Sequence, residues 1–185
     1  MRVRDAKKAI YEGLRGLSWR RYMCAMWILG GELAALYAAE MSESEASLAT
    51  ATLAVVRDVA ASGDSADLSE RAAELAALWD RAITEGEKRA SGGLHNVWTT
   101  FGGIAGEIAG VSPPFYAAGW VGGAVERRWR DPFRRWRDPD EEVTDDSPMA
   151  QTLDSFAQVV RGVARLADED VDPAMVRTLL LGADG

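Results

Sequence analysis

The sequence predicts an all-α fold, an irregular bundle of seven or eight helices with a glycine-rich helical hairpin at its centre. Alanine and leucine, which have the highest helix propensities, supply much of the 48% apolar fraction, and β-branched runs are scarce. Apolar residues recur at spacings of three and four, and several helix-start signals separate these stripes. A chain of 185 residues is long enough to bury a real core, so we expect one domain over residues 1–185.

Four helices are predicted in the first half of the chain. The first has an apolar stripe made of Val3, Ala6, Ile10, Leu14 and Leu17. Ser18 is expected to cap a second helix, from Trp19 to about Glu40. A capping box at residues 42–45 starts the third, whose inward face is Ala49, Leu53, Val56 and Ala60. The fourth begins at about Asp67, and its inward face is Leu68, Ala72, Leu75, Trp79 and Ala82.

The central hairpin is predicted over residues 94–129. Its first helix covers residues 94–110 and is rich in glycine, which lets helix backbones approach closely. Ser112-Pro113-Pro114 has the form of a cap followed by proline at the first helical position. We therefore expect this triplet to open the second helix, which runs to about Trp129.

The C-terminal part of the chain begins with an acidic loop at residues 138–147. Ser147-Pro148 repeats the cap-then-proline signal and starts a helix that should cover one side of the hairpin. Its apolar stripe consists of Leu153, Phe156, Val160, Val163 and Ala167. A short last helix is predicted from Asp172-Pro173 through Leu181.

Two long stretches carry a single charge each, Glu32 between Arg21 and Glu40 and Glu107 within residues 97–125. A membrane-spanning helix needs roughly 20 predominantly apolar residues. Pro113-Pro114 cuts the second stretch into halves too short to cross, and both stretches are rich in alanine or glycine. A packed core hairpin is the preferred interpretation, and a membrane-peripheral role for residues 97–125 is a lesser alternative.

The charge balance argues against nucleic acid as a general partner. The formal net charge is −8 and the sequence pI is about 4.8, whereas a nucleic-acid binder needs a basic face. The balance suits a basic protein partner. Cys24 is alone, so no intrachain disulfide can form, and no apolar stretch follows the charged N-terminal residues closely. We therefore expect a cytoplasmic protein without a secretory signal.

Three residues are candidates for a pocket: Glu32, His95 and Glu107. Two carboxylates buried together raise each other's proton affinity, and such a pair can act as general acid and base. In the simpler interpretation, each acid lies at a helix edge or pairs with an arginine such as Arg21 or Arg57. The simpler interpretation is preferred, because nothing in the sequence shows that the two acids meet.

Known catalytic and metal-binding patterns are missing from the sequence. His95 is the single histidine, which excludes a di-iron site built on two Glu-x-x-His motifs, and no ligand spacing supports zinc binding with Cys24. The glycine pairs 92–93, 102–103 and 122–123 do not match a phosphate-binding loop. No nucleophile elbow is present. We expect no metal, no cofactor and no enzymatic activity.

A seven-residue duplication is the most distinctive local feature. It contains Arg127, Arg128, Trp129 and Arg130, followed by Arg134, Arg135, Trp136 and Arg137. A structural turn anchored by the tryptophans and rimmed by exposed arginines is the preferred interpretation. A protein-binding surface is the leading functional alternative, since arginine and tryptophan are enriched at interface hot spots. A homodimer through this surface is compatible with the sequence, and nucleic-acid binding ranks third because six acids follow at residues 138–146.

A pattern of aromatic and small residues carries a family resemblance. It comprises WRRYMCA at residues 19–25, Glu32, and LYAA at residues 36–39, and it extends through the next helix to Ala60. It resembles the opening helix of small all-helical bacterial proteins, several of which are immunity proteins of polymorphic toxin systems. The resemblance implies a non-enzymatic inhibitor that occupies the surface of its toxin. It carries over no functional residue, because these families share no catalytic set.

These observations together favour a protein that works by binding another protein. Neutralisation of a toxin is the sharpest form of this hypothesis, and a basic toxin domain would suit the acidic balance of the chain. The alternative is a small-ligand binder or enzyme with a carboxylate-containing pocket around Glu32, His95 and Glu107.

Overall fold

A computed structural model describes residues 2–86, 90–129 and 143–181, and within these ranges the chain forms eight α-helices and no β-strand. The helices are α1 (Val3–Arg15), α2 (Trp19–Leu36), α3 (Glu43–Ser62), α4 (Ser69–Gly86), α5 (Gly92–Ile108), α6 (Ala118–Trp129), α7 (Pro148–Ala164) and α8 (Pro173–Leu181). Short 3₁₀ turns occupy Ala66–Leu68 and Asp168–Asp170. The predicted all-α bundle is confirmed.

Serine caps start the helices where the sequence predicts them. The Ser18 hydroxyl accepts a hydrogen bond from the backbone N–H of Arg21, and the Ser147 hydroxyl accepts one from Ala150. Ser42 and Glu45 form both hydrogen bonds of a capping box at the start of α3. These side chains satisfy N–H groups that the first turn of a helix leaves without an intrahelical partner.

Helix α2 is shorter than predicted, because it ends at Leu36 instead of continuing to about Glu40. The next residues form a turn in which the Tyr37 carbonyl accepts hydrogen bonds from the N–H groups of Glu40 and Met41. The Tyr37 hydroxyl donates to the carbonyl of Ala124 in α6, 2.8 Å away. Periodicity along one helix cannot reveal such a contact from a distant part of the chain.

The prediction that Ser112-Pro113-Pro114 opens a helix is wrong. Helix α6 begins at Ala118, and residues 113–117 form turns instead. The reason is a contact with the preceding helix: the Glu107 carboxylate accepts hydrogen bonds from the N–H groups of Phe115 and Ala117 and so holds this segment in a non-helical shape. Cap-then-proline is a local signal, and here a tertiary contact overrides it.

Helix α5 lies at the centre of the bundle. All but four of its seventeen residues are buried, and it packs most extensively between α4 and α6. Trp79 of α4 stacks on Phe101 of α5, with ring centroids 5.3 Å apart. Helices α1 and α7 also pack against α6, so the helix that starts at residue 148 covers part of the hairpin, as predicted. Among the described residues, no helix combines the length and apolar character that a membrane crossing needs.

Candidate functional site

The segment between α5 and α6 forms an unusual loop, residues 110–117, which we call the aromatic loop. It starts at Gly110, whose φ of 74° lies in the left-handed region that commonly ends a helix. The carbonyl of Gly106 accepts hydrogen bonds from the N–H groups of Val111 and Ser112, at 2.9 and 3.0 Å. The loop therefore folds back onto the last turns of α5.

A buried carboxylate anchors the loop from beneath. Oε1 of Glu107 accepts from the N–H of Ala117 at 2.7 Å, and Oε2 accepts from the N–H of Phe115 at 3.1 Å. The Tyr22 hydroxyl donates to Oε1 at 3.2 Å. Because Ala117 directly precedes α6, the carboxylate also lies where the helix dipole favours an anion. The side chain thus fixes both the loop and the start of α6.

Burial controls the ionisation of this carboxyl group. It raises the pKa of Glu107 to about 7, although the hydrogen bonds from Ala117, Phe115 and Tyr22 act in the opposite direction. The effect extends to the neighbouring phenol: burial, followed by the charge of Glu107, raises the pKa of Tyr22 well above its usual range. Glu107 is 7% exposed and Tyr22 is fully buried, so water reaches the site beneath the loop poorly.

Phe115 has a strained backbone, since its φ of 62° is a conformation that residues with large side chains rarely adopt. Such strain costs roughly 1–3 kcal/mol and persists where surrounding contacts over-determine the conformation. Here the contacts are the Glu107 hydrogen bond and the Tyr22 ring, whose centroid lies 4.8 Å from that of Phe115. The adjacent Tyr116 is left with 42% of its surface exposed.

Two glycines of α5 make room for the loop. A Cβ atom at Gly103 would lie 2.9 Å from Cδ1 of Tyr116, and one at Gly106 would overlap the Ser112 hydroxyl. A larger residue at either position would force the Tyr116 ring or the Ser112 side chain to shift. The glycine content of the predicted hairpin therefore serves the loop as well as helix packing.

Two concavities flank Tyr116. The first, which we call the α5 cleft, has a volume of about 370 Å³. It is lined by Asp80, Ile83, His95, Thr99, Gly102, Gly103, Ser112, Tyr116 and Trp120. The second, the proline groove, has a volume of about 500 Å³ and is lined by Tyr11, Arg15, Pro113, Pro114, Phe115, Tyr116 and Gly119. Tyr116 contributes to both walls, and its ring centroid lies 6.3 Å from that of Trp120.

The α5 cleft presents polar groups that the protein itself does not use. Within the described part of the chain, the side chains of Asp80, His95 and Ser112 make no hydrogen bond. The Thr99 hydroxyl differs, because it donates to the carbonyl of His95 at 2.9 Å. Three side chains in the same cleft are thus available to a ligand.

The three predicted pocket residues do not share a pocket. His95 lines the α5 cleft, whereas Glu107 lies beneath the aromatic loop. The two are twelve positions apart on α5, roughly 18 Å along the helix axis at 1.5 Å per residue. Glu32 lies 3.6 Å from Arg177 of α8, in a half-exposed ion pair. The carboxylate that accompanies His95 is instead that of Asp80.

The arginine–tryptophan duplication lies mostly beyond the described residues, which include Arg127, Arg128 and Trp129. The other predicted binding residues fall outside them, namely Arg130, Arg134, Arg135, Trp136 and Arg137. Arg128 is used within the fold: it donates to Glu40 at 2.6 Å, and its guanidinium lies 5.5 Å from the centre of the Tyr37 ring. Arg127 and Trp129 are exposed at the end of α6.

Sequence reasoning missed four residues of the site: Asp80, Ser112, Tyr116 and Trp120. Asp80 has the appearance of an ordinary surface charge on α4, and the periodicity of an isolated helix cannot show which charge borders a cleft. A signal for the loop was present in the Gly110-to-Pro114 segment, where glycine, serine and two prolines are together typical of turns. If this turn-like composition is given more weight than the cap-then-proline motif, the sequence predicts a loop at residues 110–114.

The described residues contain no group of three or more histidine, cysteine, aspartate or glutamate side chains arranged to hold a metal ion. Comparison of the chain with known protein families, with curated proteins and with solved structures gives no match.

Proposed function

We propose that the protein is a non-catalytic protein-binding module and that the aromatic loop is the centre of its binding surface. The observation that carries this proposal is Tyr116, an exposed aromatic side chain between two concavities on a loop anchored by a buried carboxylate. Tyrosine and tryptophan are enriched among the few residues that dominate binding energy at protein interfaces.

The anchoring of the loop supports the same proposal. An interface loop that is ordered before binding loses less conformational entropy when the complex forms. The hydrogen bonds to Glu107, the close fit against Gly103 and Gly106, and the contact of Phe115 with Tyr22 all hold this loop. A strained residue such as Phe115 is also more common at functional sites than elsewhere.

The sharpest form of the proposal is an immunity-type inhibitor that neutralises a bacterial toxin in the cytoplasm. Two features of the sequence support it: the pattern of aromatic and small residues over residues 19–60, which resembles that of such proteins, and the formal net charge of −8. Toxins that act on nucleic acid need basic surfaces, and complementary charge accelerates association with them. The partner is then a basic toxin domain, and nucleic acid is not a partner.

The test is capture of a partner from a lysate of the source organism by immobilised protein. The matched variants are Tyr116→Ala and Leu179→Ala, because Leu179 is 71% exposed on α8 and far from the loop in sequence. We expect wild type and Leu179→Ala to retain the same stoichiometric partner. Tyr116→Ala should retain at least about tenfold less, as at a hot spot. Equal retention by all three proteins, or no partner at all, would contradict the proposal.

The second candidate is a small-ligand binder or enzyme that uses the α5 cleft. It is favoured by the presence of Asp80, His95 and Ser112 in one lining, which are the residue types of the triad of many hydrolases. The three side chains are not hydrogen-bonded to one another in this structure, so an enzyme would need them to move together when substrate binds. A fluorophosphonate probe, which reacts with activated serines, tests it. Labelling of wild type but not of Ser112→Ala would support an enzyme, and no labelling of either would support the binding module.

A further inference from the structure

The α5 cleft has a negative character. Among the described residues that line it, Asp80 is the one carboxylate, and no lysine or arginine is present. Asp80 is therefore the one source of side-chain negative charge among these described residues. A cationic group entering the cleft would therefore meet an attractive charge, and no lysine or arginine among the described lining residues would compete with it.

Two aromatic residues, Tyr116 and Trp120, line the same cleft as Asp80. Helix α5 provides the floor, α4 contributes Asp80, and the loop and α6 contribute Tyr116 and Trp120. The two rings are inclined by 60° and their centroids lie 6.3 Å apart. Aromatic faces attract cations, and tryptophan and tyrosine do so most strongly when water is partly excluded.

Hydrogen-bond acceptors complete the lining. The Asp80 carboxylate, the Ser112 hydroxyl and one ring nitrogen of a neutral His95 can each accept, and none of these side chains is hydrogen-bonded within the described part of the chain. A ligand group that carries several donors and a positive charge would satisfy them together. A guanidinium group has five N–H donors, a delocalised charge, and a planar shape that stacks on aromatic rings.

We propose that the α5 cleft binds an arginine side chain that the protein partner presents. The volume of about 370 Å³ is near the low end of ligand pockets, which suits one long side chain. Arginine is preferred to lysine because a compact ammonium group cannot stack on Tyr116 and Trp120 while it also bridges Asp80 and Ser112. This inference rests on the proposed function, since it specifies the chemistry by which the partner is recognised.

The probe for this inference is Nα-acetyl-arginine N-methylamide, with the citrulline equivalent as a neutral ligand of nearly the same shape. Each compound is titrated into ¹⁵N-labelled protein at pH 7.5 while amide and indole signals are recorded. We expect saturable shifts at Thr99, Gly102 and Gly103 and at the Trp120 indole. The arginine compound should bind at least about fivefold more tightly than the citrulline compound, because only arginine carries the charge.

A matched pair of variants tests whether the charge of Asp80 contributes to arginine binding. Asp80→Asn and Glu74→Gln each remove one negative charge from the exposed surface of α4, but Glu74 does not line the cleft. We expect Asp80→Asn to weaken arginine binding by about two- to fivefold, a range typical of an exposed ion pair, and Glu74→Gln to leave it unchanged. Equal affinities for arginine and citrulline, equal effects of the two variants, or no shift at the cleft amides would overturn the inference.

The outcomes also separate this inference from the proposed function. If partner capture depends on Tyr116 but the cleft does not distinguish arginine from citrulline, the binding module stands and the arginine assignment is wrong. If the arginine compound binds but no partner is captured, the proposed function fails. Tighter binding of free L-arginine than of the capped compound would likewise contradict a polypeptide ligand. Free arginine carries a charged α-amino group and an α-carboxylate, which an arginine within a polypeptide lacks.

Discussion

The two ends of α6 are held by charged side chains in different ways. At the N-terminal end, the Glu107 carboxylate is 7% exposed and accepts backbone N–H groups of the aromatic loop. At the C-terminal end, Arg128 pairs with Glu40 in a position where both side chains are about one-third exposed. Both charges have the sign that the helix dipole favours at that end.

The comparison shows how burial decides what a charged contact does. Removing a buried acceptor leaves N–H groups without partners in a region that water reaches poorly, which is costly. Removing one side of a half-exposed ion pair leaves a group that water can solvate, which costs little. The N-terminal contact therefore determines whether the aromatic loop forms, whereas the C-terminal contact contributes to stability at the opposite end of the helix.

The largest effect is expected from Glu107→Ala. The substitution leaves the N–H groups of Phe115 and Ala117 and the Tyr22 hydroxyl without their acceptor and also creates a cavity. We expect the free energy of unfolding at pH 5 to fall by roughly 4 kcal/mol, which urea denaturation will measure.

Glu74→Ala on the exposed face of α4 is the matched control for this experiment. It should change the free energy of unfolding by less than about 0.5 kcal/mol, as surface substitutions usually do. If Glu107→Ala cost no more than this control, the carboxylate would not anchor the loop.

The pH dependence of stability gives a second test of the N-terminal contact. The pKa of Glu107 is about 7 in the folded state, above the ordinary value of 4.5, so the folded protein holds this proton more tightly than the unfolded chain. The resulting stabilisation is complete below pH 4.5 and is lost as the pH rises through 7. The loss amounts at most to roughly 3 kcal/mol, from 1.36 kcal/mol per unit of pKa.

Urea denaturation of wild type and Glu107→Gln between pH 4 and pH 8 measures this dependence. Because glutamine does not ionise, the difference in free energy of unfolding between the two proteins isolates the contribution of Glu107. We expect wild type to lose stability relative to Glu107→Gln as the pH rises. A difference that is constant with pH would contradict the assigned direction of the pKa shift.

Much of the fold is predictable from the sequence because it depends on local information. The apolar stripe of α1 and the caps at Ser18, Ser42 and Ser147 lie within a few residues of the structure that they determine. The errors occur where a contact between two elements decides the local structure. The Tyr37 hydroxyl, just after α2, donates a hydrogen bond to Ala124 of α6, and the Glu107 side chain holds a segment that local signals assign to a helix.

The candidate site is less predictable than the fold for the same reason. The residue types of His95 and Glu107 indicate candidates for a site, but their roles depend on neighbours that only the fold reveals: Asp80 in the cleft with His95, and the loop backbone around Glu107. The glycine content of residues 94–110 predicts close helix packing and nothing about a loop. The contacts of Gly103 and Gly106 with the aromatic loop cannot be inferred from the periodicity of α5.

A smaller effect is expected at the other end of α6. Arg128→Met keeps an apolar stem of similar length but removes the ion pair with Glu40 and the cation–π contact with Tyr37. We expect a loss of roughly 1 kcal/mol in the free energy of unfolding, smaller at high salt because the pair is partly exposed. A double-mutant cycle with Glu40→Gln isolates the coupling between the two side chains. If Arg128→Met lowered the free energy of unfolding as much as Glu107→Ala, the proposed difference between the buried and the half-exposed contact would be wrong.

The smallest effect is expected from Trp129→Ala, which also separates the two candidate binding surfaces. Trp129 is 43% exposed, and the Arg128 guanidinium lies 5.9 Å from its ring centre, so the substitution should lower the free energy of unfolding by roughly 0.5 kcal/mol. If binding centres on Tyr116, Trp129→Ala should retain the partner as well as wild type does, whereas Tyr116→Ala should not. If Trp129→Ala lost the partner while its stability changed little, the interface would lie at the arginine–tryptophan duplication instead. The buried contact of Glu107 would then serve the fold alone.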